Sequence, residues 1–328
     1  MVLSLFILIG WFVCIFICYY VIRPISSKLI RFVLTCFSCI LLTYVTCQNL
    51  PRFDSISILI VAICWLMSIR LIALTSFSRT TLLTFKLFLL KILWIYFPIL
   101  PKNKAKNQWP ILFHIILIII KLLINHWIYR WFIKCELGIS YERIFMLYLS
   151  IITISYVLDI EMILVRILTQ DKYTLESFTN FPILSLSLRE FWGQRYNQIV
   201  NTILKESVFE PMRLELSSST IAALITFIIS GLLHVHVCFV GFNDTSSLFP
   251  TFMFFFLHGI ACSLETNMKI KLPEHAGWLI THAFLLITSP LMLRPFIKKG
   301  CPFLMLNPPP LINIEWIPKL SVPNFCPQ

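Results

Sequence analysis

The sequence predicts an all-α fold: a polytopic transmembrane helical bundle of about eight to nine spans. Of its 328 residues, 58% are hydrophobic and only 13% are charged, whereas roughly 25% are charged in a soluble globular domain. The mean hydropathy is +0.85, and apolar runs of about 20 residues recur along the chain. No change in composition marks a soluble second domain. Residues 1–293 are therefore predicted to form one integral-membrane domain, followed by a proline-rich tail at 294–328.

The predicted spans follow from apolar runs long enough to cross a bilayer as helices. They occupy residues 2–22, 29–47, 56–77, 109–128, 145–168, 220–242, 249–264 and 278–293. The first run lacks a basic segment and a small-residue cleavage site, which predicts a retained span. Another apolar stretch, 81–100, is interrupted by Lys86 and Lys91, so it spans, lies in the interface or re-enters. Residues 174–216 are too polar to cross lipid as a plain helix. They are predicted to lie on the membrane face or to re-enter it.

The net charge of +12 is concentrated in short loops beside apolar runs. This distribution favours membrane lipids over nucleic acid as partners. It also indicates which loops face the cytoplasm. Two basic clusters are predicted to face the cytoplasm. The first places the N-terminus in the lumen, and the second reaches the cytoplasmic side if 81–100 does not fully span. The clusters are Arg23, Lys28 and Arg31, and then Lys102, Lys104 and Lys106.

The 11 cysteines lie mostly within apolar runs, where a free thiol acts as a small hydrophobe. Cys36 and Cys39 form a C-x-x-C pattern, but no second pair accompanies it, so no metal site is predicted. Asn243 begins a glycosylation sequon in a very short loop close to lipid. We expect it to remain unmodified.

His234 lies inside an apolar helix after Ser230 and Gly231. Glycine permits close approach of a ligand or another backbone, and an imidazole can take a proton from a hydroxyl near neutral pH. The alternative interpretation is a packing histidine that bonds a neighbouring carbonyl. His236 lies about 200° further round the helix, so both rings cannot line one pocket.

Residues 191–198 concentrate aromatic, amide and cationic side chains. If they form a helix, Trp192 and Tyr196 share a face with Arg195. An aromatic wall beside a cation suits a ligand with an anionic head and a flat ring. The alternative is an interfacial amphipathic helix, with aromatics at headgroup level and cations on phosphates.

Three motifs in order resemble the wax synthase-like branch of the membrane-bound O-acyltransferase superfamily. The resemblance covers about residues 180–295. The first motif is Phe191-Trp192-Gly193-Gln194-Arg195-Tyr196-Asn197-Gln198, followed by Val208-Phe209-Glu210-Pro211. The second is Ser230-Gly231-Leu232-Leu233-His234, and the third is Phe255-Phe256-Leu257-His258-Gly259. The chain departs from the family pattern in three places: Gln194 replaces an arginine, Tyr196 replaces a tryptophan, and Val235 stands where a glutamate is common. These departures bear on which alcohol is the acceptor and on the length of the acyl chain, rather than on the type of reaction.

The resemblance implies direct transfer of an acyl group from acyl-CoA to a lipophilic alcohol, in the manner of a wax ester synthase, with no other cofactor. It implies that His234 is the catalytic base and that Asn197 is its partner. We expect an integral protein of the endoplasmic reticulum membrane that binds acyl-CoA, the alcohol and membrane lipids. The predicted substrate-binding residues are Trp192, Arg195, Tyr196, Gln198, Arg189 and His258.

Other functions remain open at this point. The same fold accommodates a sterol, diacylglycerol or terpenoid acceptor, or an acetyl donor. A transporter is a second class, because Lys121, His114, Asp159 and Glu161 lie within or near spans, where ionisable groups mark ion pathways. A non-catalytic lipid-binding protein that kept the fold is a third class.

Overall fold

The computed structural model describes residues 5–77, 83–104, 109–134, 139–267, 273–299 and 321. Lys106 and most of the predicted proline-rich tail, 294–328, lie outside these residues. The long helices are α1 (Leu5–Ile17, continued by the π-helical turn Cys18–Ile22), α2 (Lys28–Cys47), α3 (Ser55–Ile72, continued by Ala73–Phe77), α5 (Ile111–Lys134), α6 (Ile139–Leu168), α10 (Ser219–Phe242), α11 (Leu248–Asn267) and α12 (Glu274–Lys299).

Within the described residues, 7 helices are long and apolar enough to cross a membrane. They are α1 with its π-helical turn, α2, α3, α5, α10, α11 and α12. Helix α6 is longer than any of these, with 30 residues. The all-α, polytopic membrane bundle predicted from composition is therefore confirmed, and the protein is an integral membrane protein. Helix α12 continues to Lys299, beyond the predicted end of the last span.

The ambiguous stretch 81–100 does not form a spanning helix in its described part. Helix α4 (Phe85–Leu93) has only 9 residues, about 14 Å of helix against a hydrocarbon core of about 30 Å. Thr84 caps its start by accepting from the Leu87 amide. After α4 the chain turns and forms strand β1 (Ile99–Pro101), which pairs antiparallel with β2 (Tyr173–Leu175).

The polar middle segment folds as a series of short elements: Pro182–Leu184, α7 (Leu188–Glu190), the π-helical turn Phe191–Arg195, α8 (Gln198–Leu204), the π-helical turn Lys205–Phe209 and α9 (Glu210–Leu216). The longest of them have 7 residues. Residues 174–216 therefore hold no helix long enough to span lipid, as their polarity predicted.

A buried arginine anchors this segment to the N-terminal helices. The Arg70 guanidinium, on α3, donates to Ser207 Oγ at 3.2 Å and to the Lys91 carbonyl at 3.3 Å. It also forms an ion pair with Glu206 at 2.7 Å. A charge within an apolar bundle is tolerated when it is paired and hydrogen-bonded. Arg70 thus ties α3, α4 and the Lys205–Phe209 turn together.

Helix α10 lies at the centre of the bundle. It packs along α11 and also against α3, and its residues Leu233, Val237 and Phe242 join the main hydrophobic core formed by α1, α2, α3 and α4. The central helix therefore has one face in the N-terminal core, which leaves another face for the C-terminal half.

Candidate functional site

A cavity of about 1610 Å³ lies between the polar middle segment and helices α5, α6, α10, α11 and α12. Its wall is largely apolar, with a limited number of polar groups, which is typical of a site for a hydrophobic ligand. Two sets of polar side chains face it. One belongs to the predicted motifs, and the other comes from α5, α6 and the chain after β2.

His234 faces this cavity from α10. Its Nδ1 atom lies 2.7 Å from the Ser230 carbonyl oxygen, one turn earlier. Because a carbonyl oxygen can only accept, Nδ1 carries the proton, and Nε2 keeps its lone pair. The Phe255 ring stacks on the imidazole at 4.1 Å between centroids. The ring is thus held in one orientation and one tautomer, with a basic nitrogen left over.

Asn197 also lines the cavity. It adopts a left-handed conformation (φ 41°) as the N-cap of α8, and its Oδ1 accepts from the Val200 amide at 3.2 Å. Asparagine tolerates this backbone conformation better than most residues. The capping bond uses the side-chain oxygen and fixes the side chain, so its amide nitrogen remains as a donor.

The aromatic motif is a compact cluster but not a regular α-helix. The segment changes from α7 into a π-helical turn and then into extended backbone at Tyr196. The Tyr196 ring stacks on Phe191 at 5.1 Å and meets the Trp192 edge at 5.3 Å. Both Trp192 and Tyr196 line the cavity. Burial raises the pKa of the Tyr196 phenol, which keeps it neutral. The buried Trp192 Nε1 has no hydrogen-bond partner among the described residues.

Arg195 does not share this face, contrary to the helical expectation. Its Nε donates to Glu190 at 2.6 Å, and its Nη1 donates to the Asn180 carbonyl at 3.2 Å. Gln198 and His258 are also buried behind the cavity wall. His258 Nδ1 lies 2.6 Å from the Phe254 carbonyl. These three residues are not brought to the cavity lining, so their substrate contacts stay predictions.

Arg189 does line the cavity, beside the predicted aromatic wall. Its backbone amide and that of Leu188 donate to the two carboxylate oxygens of Glu265, each at 2.9 Å. A carboxylate is favoured at the start of a helical segment because it accepts amides that have no partner in the helix. Glu265, on α11, therefore fixes the entry to the motif.

The motifs did not predict the second polar set. His114, Lys121, Ser155, Asp159 and Thr179 all line the same cavity. The Lys121 ammonium donates to Ser155 Oγ at 2.7 Å and forms an ion pair with Asp159. For all of these residues except Thr179, the position within a predicted apolar span was the signal available in the sequence. That these residues meet at one cavity depends on the tertiary fold. His282 also lines the cavity, although its position in the last span carried no strong signal.

Fold and cavity together define a polytopic helical membrane protein in which an imidazole and a carboxamide face the same large, mostly apolar cavity. Residues 175–257 match the family model described as Membrane bound O-acyl transferase family. This range contains Asn197 and His234. The resemblance to the membrane-bound O-acyltransferase superfamily is thereby confirmed over this range by an independent comparison.

Similar proteins carry names of the same kind. The chain is 30% identical over 142 residues to the probable long-chain-alcohol O-fatty-acyltransferase 9 of Arabidopsis thaliana, covering 38% of this chain and 41% of that protein. It is 32% identical over 219 residues to the probable long-chain-alcohol O-fatty-acyltransferase 2 of the same plant, covering 60% of each. It is 29% identical over 133 residues to the Arabidopsis acyl-CoA–sterol O-acyltransferase 1, covering 37% of this chain and 38% of that protein. The matches thus span 38% to 60% of these relatives' lengths.

Proposed function

We propose that this protein is an acyl-CoA-dependent O-acyltransferase that esterifies a lipophilic alcohol. The observation that carries the proposal is the state of His234: Nδ1 bonds the Ser230 carbonyl, and Nε2 remains basic on a ring that lines a large apolar cavity. The similarity to long-chain-alcohol O-fatty-acyltransferases supports the same reaction class.

The proposed reaction is direct transfer in a ternary complex. His234 Nε2 takes the hydroxyl proton as the alcohol oxygen attacks the thioester carbon. The tetrahedral intermediate then collapses, its carbon–sulfur bond breaks, and the leaving sulfur takes the proton from His234 as CoA-SH. Proton transfer of this kind contributes about 10²–10⁴-fold to a rate. No covalent acyl-enzyme and no cofactor beyond the acyl-CoA co-substrate are required.

Asn197 is proposed to stabilise the developing oxyanion or to orient His234. Its side-chain oxygen caps α8, so its amide nitrogen is the donor available for this role. A preorganised oxyanion donor lowers the barrier by roughly 3–4 kcal/mol. Arg189, which faces the cavity, is proposed to meet the anionic part of the donor, while the apolar walls receive the acyl chain.

The acceptor is proposed to be a long-chain alcohol, with a sterol as the second candidate. The similarity to proteins named long-chain-alcohol O-fatty-acyltransferase supports the first candidate. The similarity to a protein named acyl-CoA–sterol O-acyltransferase supports the second, and a cavity of about 1610 Å³ accommodates a bulky ring system beside an acyl chain. The endoplasmic reticulum membrane is the proposed location.

The test is expression in a host that lacks neutral-lipid esters, followed by lipid mass spectrometry. The parent protein is expected to produce esters when alcohols and sterols are fed. His234→Ala is expected to abolish them at equal protein level. His236→Asn is the matched control, because His236 lies outside the cavity lining and its Nδ1 accepts from Trp65 Nε1 at 2.8 Å. Unchanged ester formation by His234→Ala contradicts the assignment of the base, and no ester from the parent contradicts the function.

A further inference from the structure

We propose that Lys121, Asp159, Ser155 and Thr179 form a second subsite of the cavity, which binds an uncharged oxygen acceptor of a substrate, either a carbonyl or a hydroxyl oxygen. The inference rests on the proposed function for the identity of the substrates. The positions and contacts of the polar atoms do not depend on that function.

The Lys121–Asp159 pair lies deep within the bundle. Lys121 is the eleventh of the 24 residues of α5, so it lies about 15–20 Å from either helix end. Asp159 is buried on α6. Ionisable groups at such depth are expensive and mark functional positions. Here Lys121, Asp159 and Thr179 face a cavity rather than lipid.

Thr179 lies next to the chain segment that carries the proposed reaction centre. The chain on either side of Thr179 is bonded to the aromatic motif through the backbone. The Gln198 amide donates to the Phe178 carbonyl at 2.9 Å, and the Asn180 amide donates to the Arg195 carbonyl at 2.7 Å. These two bonds lie on either side of Thr179 and bring it alongside the Tyr196–Asn197 backbone. The second subsite is thus physically joined to the segment that carries Asn197.

The group has more hydrogen-bond donors than its own contacts use. Two of the three ammonium protons of Lys121 are used, toward Ser155 and Asp159. The hydroxyls of Ser155 and Thr179 lie 3.1 Å apart, and either can donate to the other. That contact uses one of their two protons. The described contacts therefore leave one ammonium proton and one hydroxyl proton for a ligand.

Charge decides what kind of ligand fits. The Lys121–Asp159 ion pair has no net charge, so the subsite offers no excess cation to a phosphate. It offers donors in a poorly solvated wall, where leaving a donor unsatisfied costs about 1–3 kcal/mol. An uncharged oxygen acceptor satisfies these donors. Two sources supply one: the amide carbonyls in the arm of acyl-CoA, and a second oxygen on the alcohol.

The test measures equilibrium binding to the purified full chain in nanodiscs, without turnover. The probes are labelled palmitoyl-CoA, hexadecanol and 1,16-hexadecanediol. Thr179→Val removes the hydroxyl at nearly constant shape. Thr179→Ser restores a hydroxyl at that position. Thr75→Val is the matched control, because the Thr75 hydroxyl is buried, bonds the Leu71 carbonyl and lies outside the cavity lining.

Thr179→Val is expected to weaken the binding of one oxygen-rich probe about fivefold, the effect of one lost hydrogen bond, with Thr179→Ser close to the parent. A loss for palmitoyl-CoA assigns the subsite to the donor arm. A loss for the diol with no loss for hexadecanol assigns it to the alcohol. Binding of all three probes within twofold of the parent overturns the inference. Ester synthesis by the parent is scored separately: weakened binding in a protein that makes no ester supports the subsite and contradicts only the proposed function.

Discussion

The two faces of helix α10 carry the same side chain in opposite circumstances. His236 faces α3, where its Nδ1 accepts from Trp65 Nε1 in a packed interface. His234, two residues earlier, faces the cavity and bonds only the carbonyl of its own helix among the described residues. The glycines follow the same division: Gly241 packs against Ile58 of α3, and Gly231 packs against Phe252 of α11.

Burial alone therefore does not distinguish a packing histidine from the proposed catalytic base. His236 is fixed through its Nδ1, and it contributes to the contact between two helices. His234 is also fixed through Nδ1, but here Nδ1 donates to a carbonyl. Its other ring nitrogen, Nε2, therefore keeps its lone pair and has no partner among the described residues. The packing role of His236 and the proposed role of His234 differ in the tautomer of the ring and in what faces its remaining nitrogen.

The largest effect is expected from His234→Gln, which keeps a polar side chain but removes the base. We expect kcat to fall by about 10²–10⁴-fold, because proton transfer is lost. Thermal stability should change little, since the cavity face already tolerates an unfilled volume. Ester formation from labelled acyl-CoA in membranes measures the rate. A rate within tenfold of the parent would contradict the proposal that His234, on the cavity face, acts as the base.

Asn197 variants separate catalysis from capping. Asn197→Asp keeps the cap on α8 and a side chain suited to the left-handed backbone, but it removes the amide donor. We expect about a 10²-fold loss of kcat with a nearly unchanged melting temperature. Asn197→Gly keeps the backbone conformation and removes the side chain, so it should lose activity to a similar extent. Full activity in Asn197→Asp would remove the proposed oxyanion role.

Glu265→Ala tests how the motif segment is fixed to α11. It removes the acceptor of the Leu188 and Arg189 amides, and hydrogen bonds to a charged group contribute about 1.5–3 kcal/mol. We expect a lower melting temperature together with about a tenfold loss of kcat/KM, because the aromatic cluster loses its orientation. Glu265→Gln retains one strong acceptor and should lie between parent and alanine. Unchanged activity with lowered stability would limit Glu265 to a role in folding.

Gly259→Ala tests the close packing of α10 and α11. A methyl group there would lie 2.8 Å from Phe227 Cβ, so the helices must move apart. We expect a destabilisation of about 1–3 kcal/mol, as for overpacked cores. Gly193→Ala is the matched control, because a methyl group at Gly193 would have nothing within 4 Å. Equal melting temperatures for both variants would contradict this description of the interface.

The smallest effect is expected from His236→Asn. The amide oxygen of asparagine can still accept from Trp65 Nε1, so we expect a destabilisation of about 1 kcal/mol and activity within twofold of the parent. Thermal unfolding in detergent and ester synthesis in membranes measure the two quantities. A large loss of activity would show that the α3 face communicates with the reaction centre.

Sequence reasoning predicted the bundle and the resemblance of the C-terminal half, because apolar runs and local motifs are contiguous in the chain. It did not predict the position of Arg195. The helical assumption grouped Arg195 with Trp192, whereas the chain changes to a π-helical turn and then to extended backbone, which directs the guanidinium to Glu190. Departures from regular helix geometry of this kind depend on tertiary packing rather than on local spacing.

The second subsite was visible in the sequence only as scattered polar residues in apolar runs. Lys121 and Asp159 are 38 positions apart, and Ser155 and Thr179 are 24 apart. Their meeting depends on how α5 packs on α6 and on the path of the chain after β2. Neither of these long-range arrangements is indicated by a periodic pattern in the local sequence.

The Lys121–Asp159 pair also constrains how the protein is made. A lone lysine or aspartate at the centre of a helix raises the free energy of insertion by about 2.5–3.5 kcal/mol, whereas the paired charges neutralise each other. Helix α6 begins at Ile139, five positions after α5 ends at Lys134. The two helices are therefore best released from the translocon together, as a hairpin whose charges have already met, and a substitution that breaks the pair would act first during biosynthesis.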